Sequence, residues 1–354
     1  MGNGGEEGAG CGSRTATRGI FPEVGGSPPP SGAPRRALAE DVCCSGSGAD
    51  LVLGGCAVGV GGIGRPRIGD PVPMTTGAGD AIEADIDHGL FGPTSVTWRV
   101  QLEPVLWVAG MRALLLQSLH PRVMRATYQN SALFDPKKAW PRFQRTVGFV
   151  GTRTFGSRAD VETAAGRVRR LHATLRGREP DGTLIALDDP ENLLWVHNAE
   201  IDSYVDVARR AGVVDDAEAD AYVAESVRAA EVIGLDPARV PASRAELAAY
   251  FERVRPELRL TDEARHGVGG LLTPQPSAPT GIALALSSVA AISFTTLPRW
   301  ARRMYGLPGL PTTDLGVTVA LRTLRTATGL LPDLPAPPEI DRARRLVREA
   351  RSAG

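Results

Sequence analysis

Cysteine is missing from most of this chain: Cys11, Cys43, Cys44 and Cys56 all lie within the first 56 of its 354 residues. The rest of the chain has no thiol. This excludes a thiolate-ligated haem, a cysteine nucleophile, a zinc–thiolate site and a core disulfide there.

An excess of charge is also missing, because 40 Lys+Arg balance 40 Asp+Glu. Nucleic-acid binding normally requires a basic excess, so no nucleic-acid partner is predicted.

Long apolar runs are few. Residues 267–298 carry no charge, and their run at 281–297 approaches the roughly 20 residues that span a membrane. Alanine, serine and threonine interrupt it, which favours a buried helix. Contact of this segment with a membrane surface is an alternative that is not predicted.

Residues 1–79 lack any helical period and are rich in Gly, Pro and Ser, so a disordered leader is predicted. The Gly-x-Gly-x-x-Gly pattern at 59–64 is followed by no βαβ unit, which argues against a dinucleotide site. The arginine pair at 35–36 could be taken for a twin-arginine export signal, but acidic residues and a glycine-rich stretch follow it. Export is therefore not expected, and a cytoplasmic location is predicted.

From residue 80 to 330 the pattern becomes helical, with strand candidates only at 96–100 and 183–187. The sequence predicts a single all-α domain of many helices, followed at 331–354 by an arginine-rich surface helix and tail. His120-Pro121 ends the most apolar segment, which is therefore predicted to be a central buried helix. The predicted helices lie at 104–119, 137–150, 157–176, 189–212, 217–233, 244–254 and 281–297.

Five histidines are present, and the positions of three make them candidate ligands. His172 lies four residues after Val168 on an apolar helical stripe, His197 faces the core from the next helix, and His120 ends the central helix. Burial keeps imidazole neutral, and neutral imidazole binds metals. For each histidine taken singly, a hydrogen bond to a neighbouring carbonyl is the commoner role.

Several catalytic signatures are missing. No His-Glu-x-x-His or Gly-x-Ser-x-Gly occurs, and a di-iron bundle would need two Glu-x-x-His motifs where Glu263–His266 is the one copy. A single axial histidine in an apolar pocket fits haem without any paired motif. A non-haem metal site built from His120, His197 and carboxylates such as Asp202 is the alternative.

Six blocks of the sequence, in order between about 85 and 310, together resemble the catalytic domain of MpaB-type and latex-clearing rubber oxygenases. They are GPTSVTWRV at 92–100, RALLLQSLHP at 112–121, RFQRT at 142–146, VRRLHATLRG at 168–177, DPENLLWVH at 189–197 and LPRWARRMYGLP at 297–308.

This resemblance implies an all-helical fold with a globin-like core that encloses haem b. It also implies an oxygenase that acts with dioxygen on a hydrophobic, isoprenoid-like small molecule. His172 matches the proximal iron ligand, Arg142 and Thr146 match polar residues near the haem, and Arg145 stands where the rubber oxygenase has a distal lysine. Guanidinium stays protonated, so Arg145 cannot act as a reversible ligand as lysine can. Asn130-Ser131 also departs from the His-Ser frequent in the family.

Arginine offers bidentate contacts to haem propionates, and Arg112 is a second candidate for that role beside Arg142. His120 and His197 are predicted to contribute to the cofactor pocket. A haem or lipid carrier without turnover is a further alternative to the oxygenase. No oligomeric state is predicted.

Overall fold

The computed structural model describes residues 87–330 and 337–353. The predicted leader over 1–79, its glycine motif and its arginine pair lie outside the described residues, as do the first residues of the predicted tail, 331–336.

The described residues form an all-α domain with thirteen α-helices and one small sheet, which confirms the predicted fold class. In chain order the helices are α1 Val96–Gln101, α2 Trp107–Gln117, α3 Pro121–Asn130, α4 Ala139–Phe155, α5 Arg158–Thr174, α6 Pro190–Arg210, α7 Asp216–Val232, α8 Arg244–Val254, α9 Asp262–Leu272, α10 Thr280–Thr296, α11 Arg299–Met304, α12 Pro311–Gly329 and α13 Pro338–Ala353. The sheet consists of β1 Arg176–Arg178 and β2 Leu184–Ala186.

Six of the thirteen helices begin where a side-chain oxygen accepts one of the first free backbone N–H groups. Ser157 caps α5 in this way, and Asp189, followed by Pro190, caps α6. At α7 the Asp215 side chain accepts from the Glu218 N–H, and the Glu218 side chain accepts in return from the Asp215 N–H. These short polar signals are the reason that helix starts could be predicted from the sequence.

The core is built around α2, which packs along both α6 and α10. Leu115, Leu116 and Leu119 are fully buried, so the predicted central buried helix is confirmed. The helix is shorter than predicted: residues 104–106 form a 3-10 turn and α2 ends at Gln117. The Trp195 indole N–H donates to the Gln117 carbonyl at 3.0 Å, which ties the end of α2 to α6.

One strand prediction is wrong. Residues 96–100 include β-branched side chains and alternate between apolar and polar ones, as a strand does, yet they lie in α1. The Ser95 hydroxyl caps this helix, and the carboxylate of Glu225 on α7 accepts from the N–H groups of Val96 and Thr97. A negative charge at the helix N-terminus stabilises the helix over a strand. The other prediction, at 183–187, is confirmed by β2, which pairs antiparallel with β1.

The uncharged segment 267–298 contains α10, which is buried on one side and exposed on the other. Ala283, Ala290 and Ser293 are buried, whereas Leu284 is 55% exposed. The predicted fully buried helix is therefore only half correct, because α10 lies at the edge of the core. No helix within the described ranges is long and apolar enough to cross a membrane.

The arginine-rich helix α13 closes a second, smaller core. Its Ala343 and Val347 are buried against Trp98 of α1 and Phe155 of α4. The indole N–H of Trp98 donates to the Thr154 carbonyl at 2.8 Å. This small core holds α1, α4 and α13 together.

Candidate functional site

Helices α4 and α5 form an antiparallel hairpin that brings the predicted iron ligand beside a predicted arginine. The segment before α1 packs closely against the turn between them: a Cβ on Gly89, whose φ is +72°, would come within 2.0 Å of the Gly156 carbonyl oxygen. Each helix has 17 residues, so the first turn of α4 lies next to the last turn of α5. Arg142 and His172 occupy these two turns and interact electrostatically.

His172 is half-buried, and burial together with the nearby Arg142 guanidinium lowers its pKa below the ordinary value. The imidazole is therefore neutral at pH 7, which is the form that binds a metal. Neither ring nitrogen is hydrogen-bonded within the described part of the chain. A lone pair of His172 is thus available for a ligand.

Arg142 is half-buried, and its pKa is lowered mainly by burial and to a smaller extent by repulsion from Arg145. Its Nη1 donates to Thr146 Oγ1 at 2.5 Å. No carboxylate pairs with Arg142 among the described residues, and Arg145 is exposed and likewise without an acid there. Guanidinium stays charged even with a lowered pKa, so an unmatched cation lies beside the neutral imidazole.

The surroundings of this pair are apolar and uncovered. The α5 stripe is buried at Val161 and Ala165 but opens towards its C-terminal end, where Leu171 is 49% exposed. On α4, the ring of Phe143, next to Arg142, lies 6.5 Å from that of Trp107 on α2, which is 48% exposed. Large apolar side chains left in contact with water commonly mark a binding surface.

These residues fit a haem group. Haem requires a neutral imidazole for its iron, apolar side chains against its faces and cations for its propionates. His172 provides the imidazole, and Leu171 and Trp107 provide apolar side chains. Arg142 provides a cation without an acidic partner among the described residues. The fit rests on the chemistry of these donors and on the missing carboxylate partner of Arg142.

A buried charged cluster lies further along the same side of α4. Arg142, Thr146 and Arg153 share one helical face by their spacing. Arg153 is buried, and its Nη2 lies 2.5 Å from Oε1 of Glu200 on α6. Burial would raise the pKa of Glu200, but this ion pair holds it below its ordinary value. Sequence reasoning missed the pair, because each partner resembles an ordinary surface residue; the position of Arg153 on the Arg142 face was the one available signal.

His197 is buried as predicted, only 2% exposed, one turn before Glu200 on α6. Burial lowers its pKa to about 4, so it is neutral at pH 7. Neither ring nitrogen has a hydrogen-bond partner in the structure as described. A fully buried imidazole without a partner is unusual, since buried polar groups normally find one.

His120 is also buried, but one of its nitrogens is in use. The ring caps α3 by accepting from the Val123 N–H at Nδ1, at 3.4 Å, and packs 5.7 Å from Trp195. Burial lowers the pKa of His120. Its position as a helix cap explains its place before a proline.

The structure places Arg112 in a different environment from Arg142. Arg112 is 2% exposed and pairs with Asp202 at 2.8 Å, between α2 and α6. Its charge is already matched, unlike that of Arg142. Asp202 therefore does not join His120 and His197, and no group of three His, Cys, Asp or Glu able to hold a metal ion occurs among residues 87–330 and 337–353.

Comparison with known proteins identifies one family. The family model described as ER-bound oxygenase mpaB/B'/Rubber oxygenase, catalytic domain, matches residues 98–329. No curated protein and no solved structure matches the chain. The matched residues contain Arg142, Thr146 and His172 and cover well over half of the sequence. The chain therefore belongs to the mpaB and rubber oxygenase family and carries its oxygenase catalytic domain.

Proposed function

We propose that this protein is a haem-dependent oxygenase that acts with dioxygen on a hydrophobic, isoprenoid-like small molecule. One observation carries the proposal: a half-buried arginine without an acid lies beside a neutral, unbonded histidine on an uncovered apolar surface. Membership of an oxygenase family supports the reaction class.

In this proposal His172 holds the iron of haem b, and Arg142 binds a propionate or donates a hydrogen bond close to the iron. When bound, haem b supplies the iron centre that activates dioxygen. Thr146, one turn from Arg142 and hydrogen-bonded to it, orients the guanidinium. Arg145 provides a further cation at the exposed edge. With no thiolate behind the iron, rate depends on positioning and on such donors.

Of the remaining predicted cofactor residues, the proposal keeps one as a pocket residue, whereas the other two already have protein partners. His197 stays a candidate for the inner wall of the pocket, because neither of its nitrogens has a partner among residues 87–330 and 337–353. His120 and Arg112 are engaged by protein groups. The substrate occupies the apolar surface around Trp107 and Leu171, where burying exposed apolar area supplies about 25 cal/mol per Å².

The test combines spectroscopy with turnover. The full chain is titrated with haem b, and oxygen uptake is then followed with unsaturated isoprenoids and saturated alkanes of equal length. We expect a one-to-one complex with an intense Soret band, and uptake with the unsaturated compounds. A haem complex without uptake on any substrate would favour the carrier, and absence of a Soret band would contradict haem binding.

A further inference from the structure

A cleft of about 240 Å³ opens where α6, α8 and the start of α11 meet. Its lining includes Arg112, Arg210, Phe251, Arg255 and Trp300, and it contains none of Arg142, Thr146 or His172. The cleft is therefore separate from the proposed haem site, and its interpretation does not depend on the proposed function.

Arg112 forms the floor of this cleft and has hydrogen-bonding capacity to spare. Its Nη1 donates to Ser203 Oγ at 2.8 Å and contacts Asp202 at 2.8 Å, and its Nε donates to the Thr296 carbonyl at 3.2 Å. Its Nη2 has no hydrogen bond in the described ranges, because the nearest carboxylate oxygen, on Asp206, is 3.8 Å away. A side chain 2% exposed thus presents free N–H groups to the cleft.

The charges of the cleft cancel in pairs. Arg112 faces Asp202 at 2.8 Å, Arg210 faces Asp206 at 3.0 Å and Arg255 faces Glu252 at 2.6 Å. A ligand that carries a net charge would enter without an opposite charge to meet it and would lose hydration. The three matched pairs therefore favour an uncharged ligand.

Part of the cleft lining is aromatic. The rings of Phe251 and Trp300 lie 6.3 Å apart, and the Arg255 guanidinium covers the Trp300 ring at 5.2 Å. A compact apolar body can pack against these rings, while an oxygen atom reaches Arg112 Nη2. Small-molecule sites commonly combine an apolar wall with one or two placed polar groups.

We propose that this cleft binds an uncharged carbonyl compound with a compact apolar body, its oxygen accepting from Arg112 Nη2 and its body packed against Phe251 and Trp300. The volume accommodates one small molecule of this class. Nothing in the proposed haem chemistry requires this second site.

The test uses three probes of matched shape on the full chain: cyclohexanecarboxamide, cyclohexanecarboxylate and the ammonium form of cyclohexylmethylamine. Binding is measured by titration calorimetry at neutral pH. We expect the amide to bind at least about tenfold more tightly than either ion, which corresponds to about 1.4 kcal/mol. Equal or tighter binding of an ion, or no binding of the amide, would overturn the proposal.

Two variants locate the binding. Ala248 lines the cleft at an exposed position, so Ala248→Trp fills its mouth without removing a charge. Ala249 is the next residue, is also exposed and does not line the cleft, so Ala249→Trp is the matched control. We expect amide binding to be lost in Ala248→Trp and kept in Ala249→Trp. Binding that persists unchanged in Ala248→Trp would place the amide elsewhere and refute the assignment.

Discussion

At the scale of single residues, His172 and Arg142 differ from His120, Arg112 and Arg153 by having no protein partner of the expected kind among the described residues. His120 caps a helix, Arg112 pairs with aspartates and Arg153 pairs with a glutamate. Within the described part of the chain, the one side chain hydrogen-bonded to Arg142 is that of Thr146. The fold therefore leaves the Arg142 cation and the neutral His172 imidazole side by side and available for a group from outside the chain.

The first prediction concerns Arg142. We expect Arg142→Gln to lower the rate of oxygen consumption by about 10²–10³-fold, as loss of one preorganised donor does in other sites. Haem content, read from absorbance, should fall much less. Arg303→Gln is the control, because Arg303 is an exposed arginine on a different helix, α11. Unchanged turnover in Arg142→Gln would remove this residue from the mechanism.

The second prediction concerns pH and His197. Its pKa is about 4 in the folded chain, because of burial, and about 6.5 when unfolded. A lowered folded pKa means that the unfolded state takes up the proton first, so stability is full above pH ~6.5 and falls towards pH ~4. This residue alone contributes roughly 3 kcal/mol to that fall.

Unfolding by urea at several pH values measures this contribution. We expect the free energy of unfolding of His197→Phe to decline less between pH 7 and pH 4 than that of the natural chain. His266→Phe, at an exposed position, should follow the natural chain. Parallel pH curves for His197→Phe and the natural chain would show that His197 does not titrate as a buried group.

At the scale of elements, α1 shows how a distant residue decides local structure. Residues 96–100 read as a strand, but Glu225 of α7 supplies a carboxylate to the N-terminus of the helix. We expect Glu225→Ala to lower the free energy of unfolding by about 1–2 kcal/mol, the value of a lost charged cap. Glu231→Ala, exposed on the same helix, should change it little. An equal effect of the two substitutions would contradict this account of α1.

The contrast between local sequence signals and contacts with distant residues also determines how much of the site could be predicted. Local signals sufficed for the helix caps, the buried α2 and the placement of His172 on an apolar stripe. The opening of that stripe at Leu171 and the missing acid beside Arg142 depend on how α4 and α5 pack against the rest of the chain. The Arg153–Glu200 pair joins residues far apart in sequence, and no local pattern marks such a contact. The globin-like arrangement of the core stays a prediction.

At the scale of the whole molecule, α13 lies beyond the residues that match the family, yet it is packed into the fold. Val347 is buried against the cluster of Trp98 and Phe155, which ties the helix to α1 and α4. We expect Val347→Ala to lower the free energy of unfolding by about 1–3 kcal/mol through lost apolar burial. Arg345→Ala, exposed on the same helix, is the control. Equal melting temperatures for the two variants would mean that α13 adds little to stability.

The central claim is that His172 holds the haem iron, and replacement of its side chain by a free ligand tests it most directly. His172→Gly removes the imidazole and leaves space for an added one. We expect the variant to lose the absorption spectrum of the natural haem complex and to regain it when free imidazole is supplied. His266→Gly should keep the natural spectrum throughout. A His172→Gly protein that shows the natural spectrum and haem content without added imidazole would contradict the assignment of this site.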